Sequence, residues 1–184
     1  MTTLYPLTIV SDLKDHFIFL DTGVFITAAK SKSFVELLVE LRTEGNCSFS
    51  TVPSVLFEFT TGSDTLGSYN KRAESLKSLV DYIDPLKFLD SIPDFYVVMA
   101  KTNAKNQSQT DFLLSACLYN YRHAKTALLT GDFKALPAFF PRTQVITVEQ
   151  DNVGKDGSKP IRNLGVYKFD GTAYAQAAQN ILGE

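Results

Sequence analysis

What most constrains the fold of this chain is a repeated switch between short apolar runs and longer stretches whose apolar residues recur at helical spacing. Phe17 to Leu20 is a compact apolar run that stops at Asp21-Thr22-Gly23, as a buried parallel strand does where it runs into a loop. Phe34, Leu37, Leu38 and Leu41 follow the i, i+3, i+4, i+7 pattern, with Ser33 and Glu36 at capping-box spacing and Gly45 as a stop, so a helix is predicted there. Cys47 to Val52 alternates and meets Pro53, which suits a short strand ending at the first turn of a helix. That helix carries Val55, Leu56 and Phe59 on one face and is expected to stop near Gly62. A longer helix is predicted from the register of Tyr69, Ala73, Leu76, Val80 and Ile83 before Pro85.

Lys87 to Ile92 reads as a third strand. Pro93 to Ala100 and Thr110 to Arg122 read as helices, separated by the polar stretch Lys101 to Gln109. Thr126 to Leu129 reads as a strand ending at Thr130-Gly131-Asp132, and Gln144 to Val148 as the last strand of the series. Strands alternating with helices predict an α/β fold, three-layer α/β/α, with a mainly parallel central sheet. Residues 1–150 are expected to form this domain. Asp151 to Arg162 is polar and rich in Gly and Lys, so it reads as a linker or mobile loop. Residues 151–184 are expected as a C-terminal extension, packed on the same domain or trailing from it, with one strand-like stretch at Val166 to Phe169 and an alanine-rich helical end.

Composition bounds the classes of function. The 184 residues are 45% hydrophobic, enough to bury a core without staples. The apolar runs are too short to span a bilayer, and Met1 to Pro6 carries no basic stretch of a secretory signal. Cys47 and Cys117 are too few and too isolated for a disulfide framework or a zinc site. Both are expected to sit reduced in the core of a cytoplasmic protein. A formal charge of −2 gives no basic footprint for nucleic acid, yet a site full of carboxylates would itself lower the count.

The chemistry concentrates in four acids. Asp21 follows the first strand directly, and Asp132 follows a later strand across Thr130-Gly131. In a parallel sheet both project from the carboxyl edge, where open α/β sheets bind their ligands. Asp111 opens a helix: at about 100° per residue it lies at the top of the stripe made by Leu114, Ser115 and Leu118. Glu58 lies beside the stripe of Val55, Leu56 and Phe59. Charges beside buried faces are costly unless paired or bound to a cation, and four converging carboxylates repel one another until a divalent metal neutralises them. Each acid also has a plain structural reading. Asp21 could be a helix N-cap, Asp111 the acidic partner of a capping box with Ser108, Glu58 a solvated helix residue and Asp132 a turn residue.

The four motifs in this order resemble the PIN-domain nucleases, which include the VapC-type toxins of bacterial toxin–antitoxin pairs. The family's opening strand-Asp-Thr/Ser motif is matched by Phe-Ile-Phe-Leu-Asp21-Thr22-Gly23-Val24. Its Glu within an apolar helix is matched by Ser54-Val-Leu-Phe-Glu58-Phe, and its Asp opening a helix of small and apolar residues by Asp111-Phe-Leu-Leu-Ser115-Ala116. Its Thr-x-Asp after a strand is matched by Leu-Leu-Thr130-Gly131-Asp132. The match spans about residues 17–148. Gly23 stands where the family usually has a polar residue, and the chain extends beyond the match at both ends.

The resemblance implies a metal-dependent endoribonuclease that hydrolyses RNA phosphodiester bonds. Hard oxygen ligands select Mg²⁺ or Mn²⁺ over zinc. Asp21, Glu58 and Asp111 are the expected principal ligands, Asp132 completes the set, and Thr130 orients a carboxylate or water. The resemblance also implies a single-stranded RNA substrate, a toxin role with an antitoxin partner and a homodimer. Lys30, Lys32, Lys101, Lys105 and Lys134 are candidates for phosphate contacts. His16 and His123 give no two-histidine mechanism, His123 reading as a helix C-terminal residue. Three rivals remain. Asp21-Thr22-Gly23 imitates an aspartic protease, which needs a second such aspartate and an all-β frame. Another is a catalytically inactive PIN-like module that binds RNA or protein. The third is a structure-specific DNA nuclease of related fold, which usually has more metal-ligand acids and a helical arch rich in Lys and Arg, neither of which is seen in the sequence.

Overall fold

The computed structural model describes residues 3–103, 107–153 and 157–183, without the side chains of Thr3, Leu76, Lys77 and Asn103. Lys105 and part of the 151–162 linker lie outside them. The first short strand, β1 (Thr3–Leu4), and a single helical turn, α1 (Ile9–Asp12), precede β2 (Phe17–Leu20). Two helices, α2 (Thr22–Ala28) and α3 (Lys32–Thr43), lead to β3 (Ser48–Thr51). Then α4 (Pro53–Thr61) and α5 (Leu66–Leu79) lead to β4 (Asp81–Tyr82). The chain crosses back through α6 (Leu86–Leu89), α7 (Pro93–Asn103) and α8 (Gln109–Asn120) to β5 (Thr126–Thr130), and ends in β6 (Arg142–Glu149), β7 (Ile161–Tyr167) and α9 (Gly171–Leu182).

These strands form one seven-stranded sheet in the order β1-β6-β7-β5-β2-β3-β4. The run β5-β2-β3-β4 is parallel throughout. β7 is antiparallel to both β5 and β6, and β1 is antiparallel to β6, so β2 to β6 all point the same way. The helices fall into two packed groups, α2 to α5 and α7 to α9, in the expected α/β/α layering. β5 is buried at every position and β2 at three of four, which explains why both read as unbroken apolar runs.

The order of strands decides where a site can form. From β2 the chain moves outward to β3 and β4, then returns to place β5 on the other side of β2. The crevice at the carboxyl ends of β2 and β5 is therefore the topological switch point, where neighbouring loops diverge and leave room for a ligand.

Several local expectations need correction. The helix α3 starts two residues earlier than its capping-box signal: Ser31 is the N-cap, and its hydroxyl donates to the Glu149 carbonyl at 3.1 Å instead of capping. The predicted Ser33–Glu36 box does not form because the N-cap position falls before it. The long helix stops at Leu79, and Val80 and Ile83 lie beyond its end. There the backbone joins the sheet edge, with the Ile83 amide donating to Thr51. The strand expected at Lys87 to Ile92 is the short helix α6 and a turn, because β4 has already filled that edge. Gln144 to Val148 lies within β6 but is not the last strand: β7 begins at Ile161, inside the stretch read as linker. Its first three residues are exposed and so carry no apolar signal.

An aromatic cluster docks the C-terminal helix. Phe95 of α7 stacks on Tyr119 of α8 with centroids 4.4 Å apart, and Tyr174 of α9 lies 4.9 Å from Tyr119. Such ring pairs contribute about 0.5–1.5 kcal/mol each beyond the area they bury. Cys47 and Cys117 are free and buried.

Candidate active site at the carboxyl edge of the sheet

Asp21 is held where β2 hands over to α2. Its amide donates to the Leu129 carbonyl of β5 at 3.1 Å, and the buried Thr51 hydroxyl donates to the preceding Leu20 carbonyl at 2.6 Å. One carboxylate oxygen accepts from the Thr22 amide at 2.6 Å, capping α2. The other accepts from Thr130 Oγ1 at 2.7 Å. This second bond bridges the ends of β2 and β5 at the switch point. Thr130 Oγ1 accepts in turn from the Asp132 amide at 3.0 Å, so one buried hydroxyl orders both acids.

Glu58 and Asp111 reach the same edge for different reasons. Because α4 begins just after β3 ends, its early turns stand over that edge. The short turn between α8 and β5 makes the helix run back against the strand, which returns its N-terminus, with Asp111, to the carboxyl side. Glu58 accepts from Thr22 Oγ1 at 2.6 Å and, through its other oxygen, from Thr110 Oγ1. A single carboxylate thus ties the starts of α2 and α8 to the second half of α4. Asp111 accepts from Ser108 Oγ at 2.6 Å and from the Ser108 amide at 2.9 Å, with the Asp111 amide donating back to Ser108. The capping box is complete.

The plain readings of Asp21, Asp111 and Asp132 are therefore real: Asp21 caps α2, Asp111 completes the capping box of α8, and Asp132 accepts from the Lys134 amide at 2.9 Å in a turn. They do not exhaust the arrangement. Burial lifts the Asp21 carboxyl to about 6, with the negative charges of Asp111 and Glu58 adding to the rise and the Thr130 and Thr22 bonds opposing it. Burial also lifts Asp111, with the charges of Asp132 and Glu58 adding to the rise against the two bonds from Ser108. Asp21 thus feels the charges of Asp111 and Glu58, and Asp111 those of Asp132 and Glu58. The leading influences that oppose the rise at both acids are hydrogen bonds from hydroxyls and amides, which hold a carboxylate without adding positive charge.

Among the described residues, no group of three acid, histidine or cysteine side chains is arranged to hold a metal ion. Carboxylate oxygens are the donor type that a hard cation takes. Mg²⁺ keeps several of its waters and takes only one or two carboxylates directly, so it does not require a closed cage. Gly23 faces Gly131, and a Cβ at Gly23 would meet Asp21 Oδ2 at 3.8 Å. The site thus has room for a side chain where this sequence has none.

The sequence matches no protein-family model and no curated protein. What can be said of the site therefore rests on its own geometry and on the four motifs.

Two clefts flank the acids. One, of about 510 Å³, is lined by Asp21, Asp132, Phe133 and the β7 residues Ile161 to Leu164. The other, of about 720 Å³, runs from Glu58 along α4 and α5 past Lys30, Lys71 and Arg72. Of the predicted phosphate contacts, Lys30 lines this second cleft. Lys32 pairs with Glu36 at 3.9 Å on the open surface, and exposed Lys101 lines neither cleft. Lys134 is exposed one turn past Asp132. Sequence reasoning missed Lys71, Arg72 and Arg162, which no local pattern links to the acids. Only the packing of α5 and the antiparallel insertion of β7 bring them there.

The histidines sit elsewhere. His16 precedes β2 and His123 precedes β5, both at the amino edge. His123 lies in the turn beyond α8, not in its last helical turn as expected. The Asp21-Thr22-Gly23 sequence opens a helix on a parallel strand, a frame unlike the all-β one that an aspartic protease needs.

Proposed function

We propose that the chain is a metal-dependent phosphodiesterase, an endoribonuclease that uses Mg²⁺ or Mn²⁺. The observation that carries the reading is the Thr130 bridge at the switch point. It holds half-buried Asp21 beside Asp132, while Asp111 and Glu58 press like charge on it. Asp21, Glu58, Asp111 and Asp132 would hold the ion, directly or through its waters. Bound there, the ion supplies positive charge to offset that gathering on a phosphodiester and eases loss of a proton from water.

The chain's own groups prepare this chemistry. Thr130 fixes the rotamer of Asp21 and the turn of Asp132; Thr22 and Thr110 aim Glu58; Ser108 aims Asp111. Hydroxyls that hold a carboxylate add no positive charge and keep it available to a cation. RNA as the substrate, a toxin role, an antitoxin partner and a homodimer are extensions that the motif resemblance supports. One observation favours the rival reading as an inactive PIN-like binding module: Asp21 already caps α2, and Asp111 already completes the capping box of α8.

Cleavage of labelled single-stranded RNA and DNA in Mg²⁺, Mn²⁺ or EDTA tests the proposal, with Asp21→Asn and Asp111→Asn checked for folding. Cleavage of RNA that needs metal and disappears in both variants is the expected result. Absence of both cleavage and calorimetric metal binding in the folded wild type would leave the module reading.

A further inference from the structure

The smaller cleft contains more than carboxylates. It opens between the turn after β5 and the start of β7, and its walls include Phe133 and Arg162. Phe133 is 38% exposed, yet its ring is seated against neighbours. The Arg142 guanidinium lies over it, 4.6 Å from the centroid. Its edge sits against Gly165, where an added Cβ would come within 3.0 Å of Phe133 Cε1 and 2.6 Å of Tyr167 Cε2. Arg142 is not part of the cleft wall, so it backs the ring from outside and leaves the exposed surface to the cleft.

Arg162 is placed by topology. Because β7 runs antiparallel to β5, with Gly165 opposite Thr130, the residues before Gly165 project past the carboxyl edge and stand over the acids. Arg162 is exposed there. It lines the same cleft as Asp21 and Asp132.

We propose that this cleft is a nucleotide subsite for a single-stranded polynucleotide, with one base stacked on Phe133 and a backbone phosphate held by Arg162 beside Asp21 and Asp132. The inference rests on the nuclease reading above. Its volume, about 510 Å³, lies within the range of small-molecule sites, about 300–1,000 Å³. A backed aromatic ring gives any base a stacking face, which bases inside a duplex cannot use. A guanidinium matches phosphate oxygens with paired donors. The subsite therefore selects strand state before sequence.

The test uses the full chain with Mn²⁺ and a short fluorescent oligoribonucleotide, with thermal melting to verify each fold. Phe133→Ala is expected to raise KM about tenfold while kcat stays within about twofold, as loss of stacking in both ground and transition states requires. Phe133→Tyr should retain the wild-type KM, and Phe133→Leu, which keeps apolar bulk but no π face, should not. Arg162→Ala should reduce the slope of log KM against log salt by about one. Wild-type kinetics in Phe133→Ala, full rescue by Phe133→Leu, or equal competition by duplex RNA would overturn the subsite while metal-dependent cleavage stood. Absence of cleavage and of oligonucleotide binding in the wild type would remove both readings together.

Discussion

Replacing Asp21 by Asn should become less costly to stability as pH rises to neutral, a result that an ordinary helix cap would not give. In the folded chain the carboxyl titrates at about 6, against the ordinary aspartate value of 3.8. Below about pH 4 it is protonated whether the chain is folded or not, and has no effect on stability. Between about pH 4 and pH 6 the unfolded chain releases its proton while the native state keeps one, so stability falls as pH rises. Above pH 6 the whole penalty is present. The gap between the two values, at about 1.36 kcal/mol per pKa unit, comes to about 3 kcal/mol. Solvent reaching the half-buried carboxylate from the cleft screens its neighbours, which brings the expected penalty to about 1–2 kcal/mol.

The Asn variant retains an oxygen for the Thr22 amide but presents an amide group to Thr130, at a cost of about 1 kcal/mol at every pH. Denaturant titrations in EDTA at a series of pH values should therefore show a difference curve. The variant is expected to be about 1 kcal/mol weaker near pH 4, to recover about 1–2 kcal/mol relative to the wild type by pH 7.5, and so to equal or exceed it there by up to about 1 kcal/mol. A difference that stays flat from pH 4 to pH 8 would refute the claim that like charge and burial strain this carboxylate. With Mg²⁺ added at pH 7.5, the wild type should gain stability and Asp21→Asn should not.

Three further outcomes follow from the same geometry. Thr130→Val keeps the shape of the side chain but removes its bonds to Asp21 and Asp132; a melt should show a loss of about 1–2 kcal/mol, and metal-dependent cleavage should fall at least tenfold, on the order of other losses of ligand-orienting groups. Gly165→Ala places a Cβ 2.6 Å from Tyr167 Cε2, so denaturation should report a cost of about 1–3 kcal/mol from overpacking. Leu118→Ala, at a fully buried position of α8, should cost about 2–5 kcal/mol by the same measurement.

Much of the fold could be read locally. The apolar run at Phe17 to Leu20, the i, i+3, i+4 stripe of α3 and Pro53 at the first turn of α4 each reflect a periodicity that burial imposes on neighbouring residues. Where the reading failed, tertiary pairing had replaced local preference. Val80 and Ile83 continue the stripe of α5, yet the chain leaves the helix so that Asp81 and Tyr82 can pair with β3. β7 is unreadable at its start because Ile161 to Asn163 overhang the edge, so no burial shapes them.

The candidate site divides along the same line. The sequence alone determines that Asp21 and Asp132 follow strands and that Asp111 and Glu58 stand on helices beside apolar stripes, since each placement needs only a few neighbouring residues. Only the tertiary structure decides that the strand order reverses between β2 and β5, that the Thr130 hydroxyl bridges the gap, and that Thr22 and Thr110 meet on Glu58. It alone brings Phe133 and Arg162 into one cleft with the acids. These are contacts between residues far apart in the chain. Closing such loops costs entropy that packing of the whole sheet and its helices repays, so no local pattern records them.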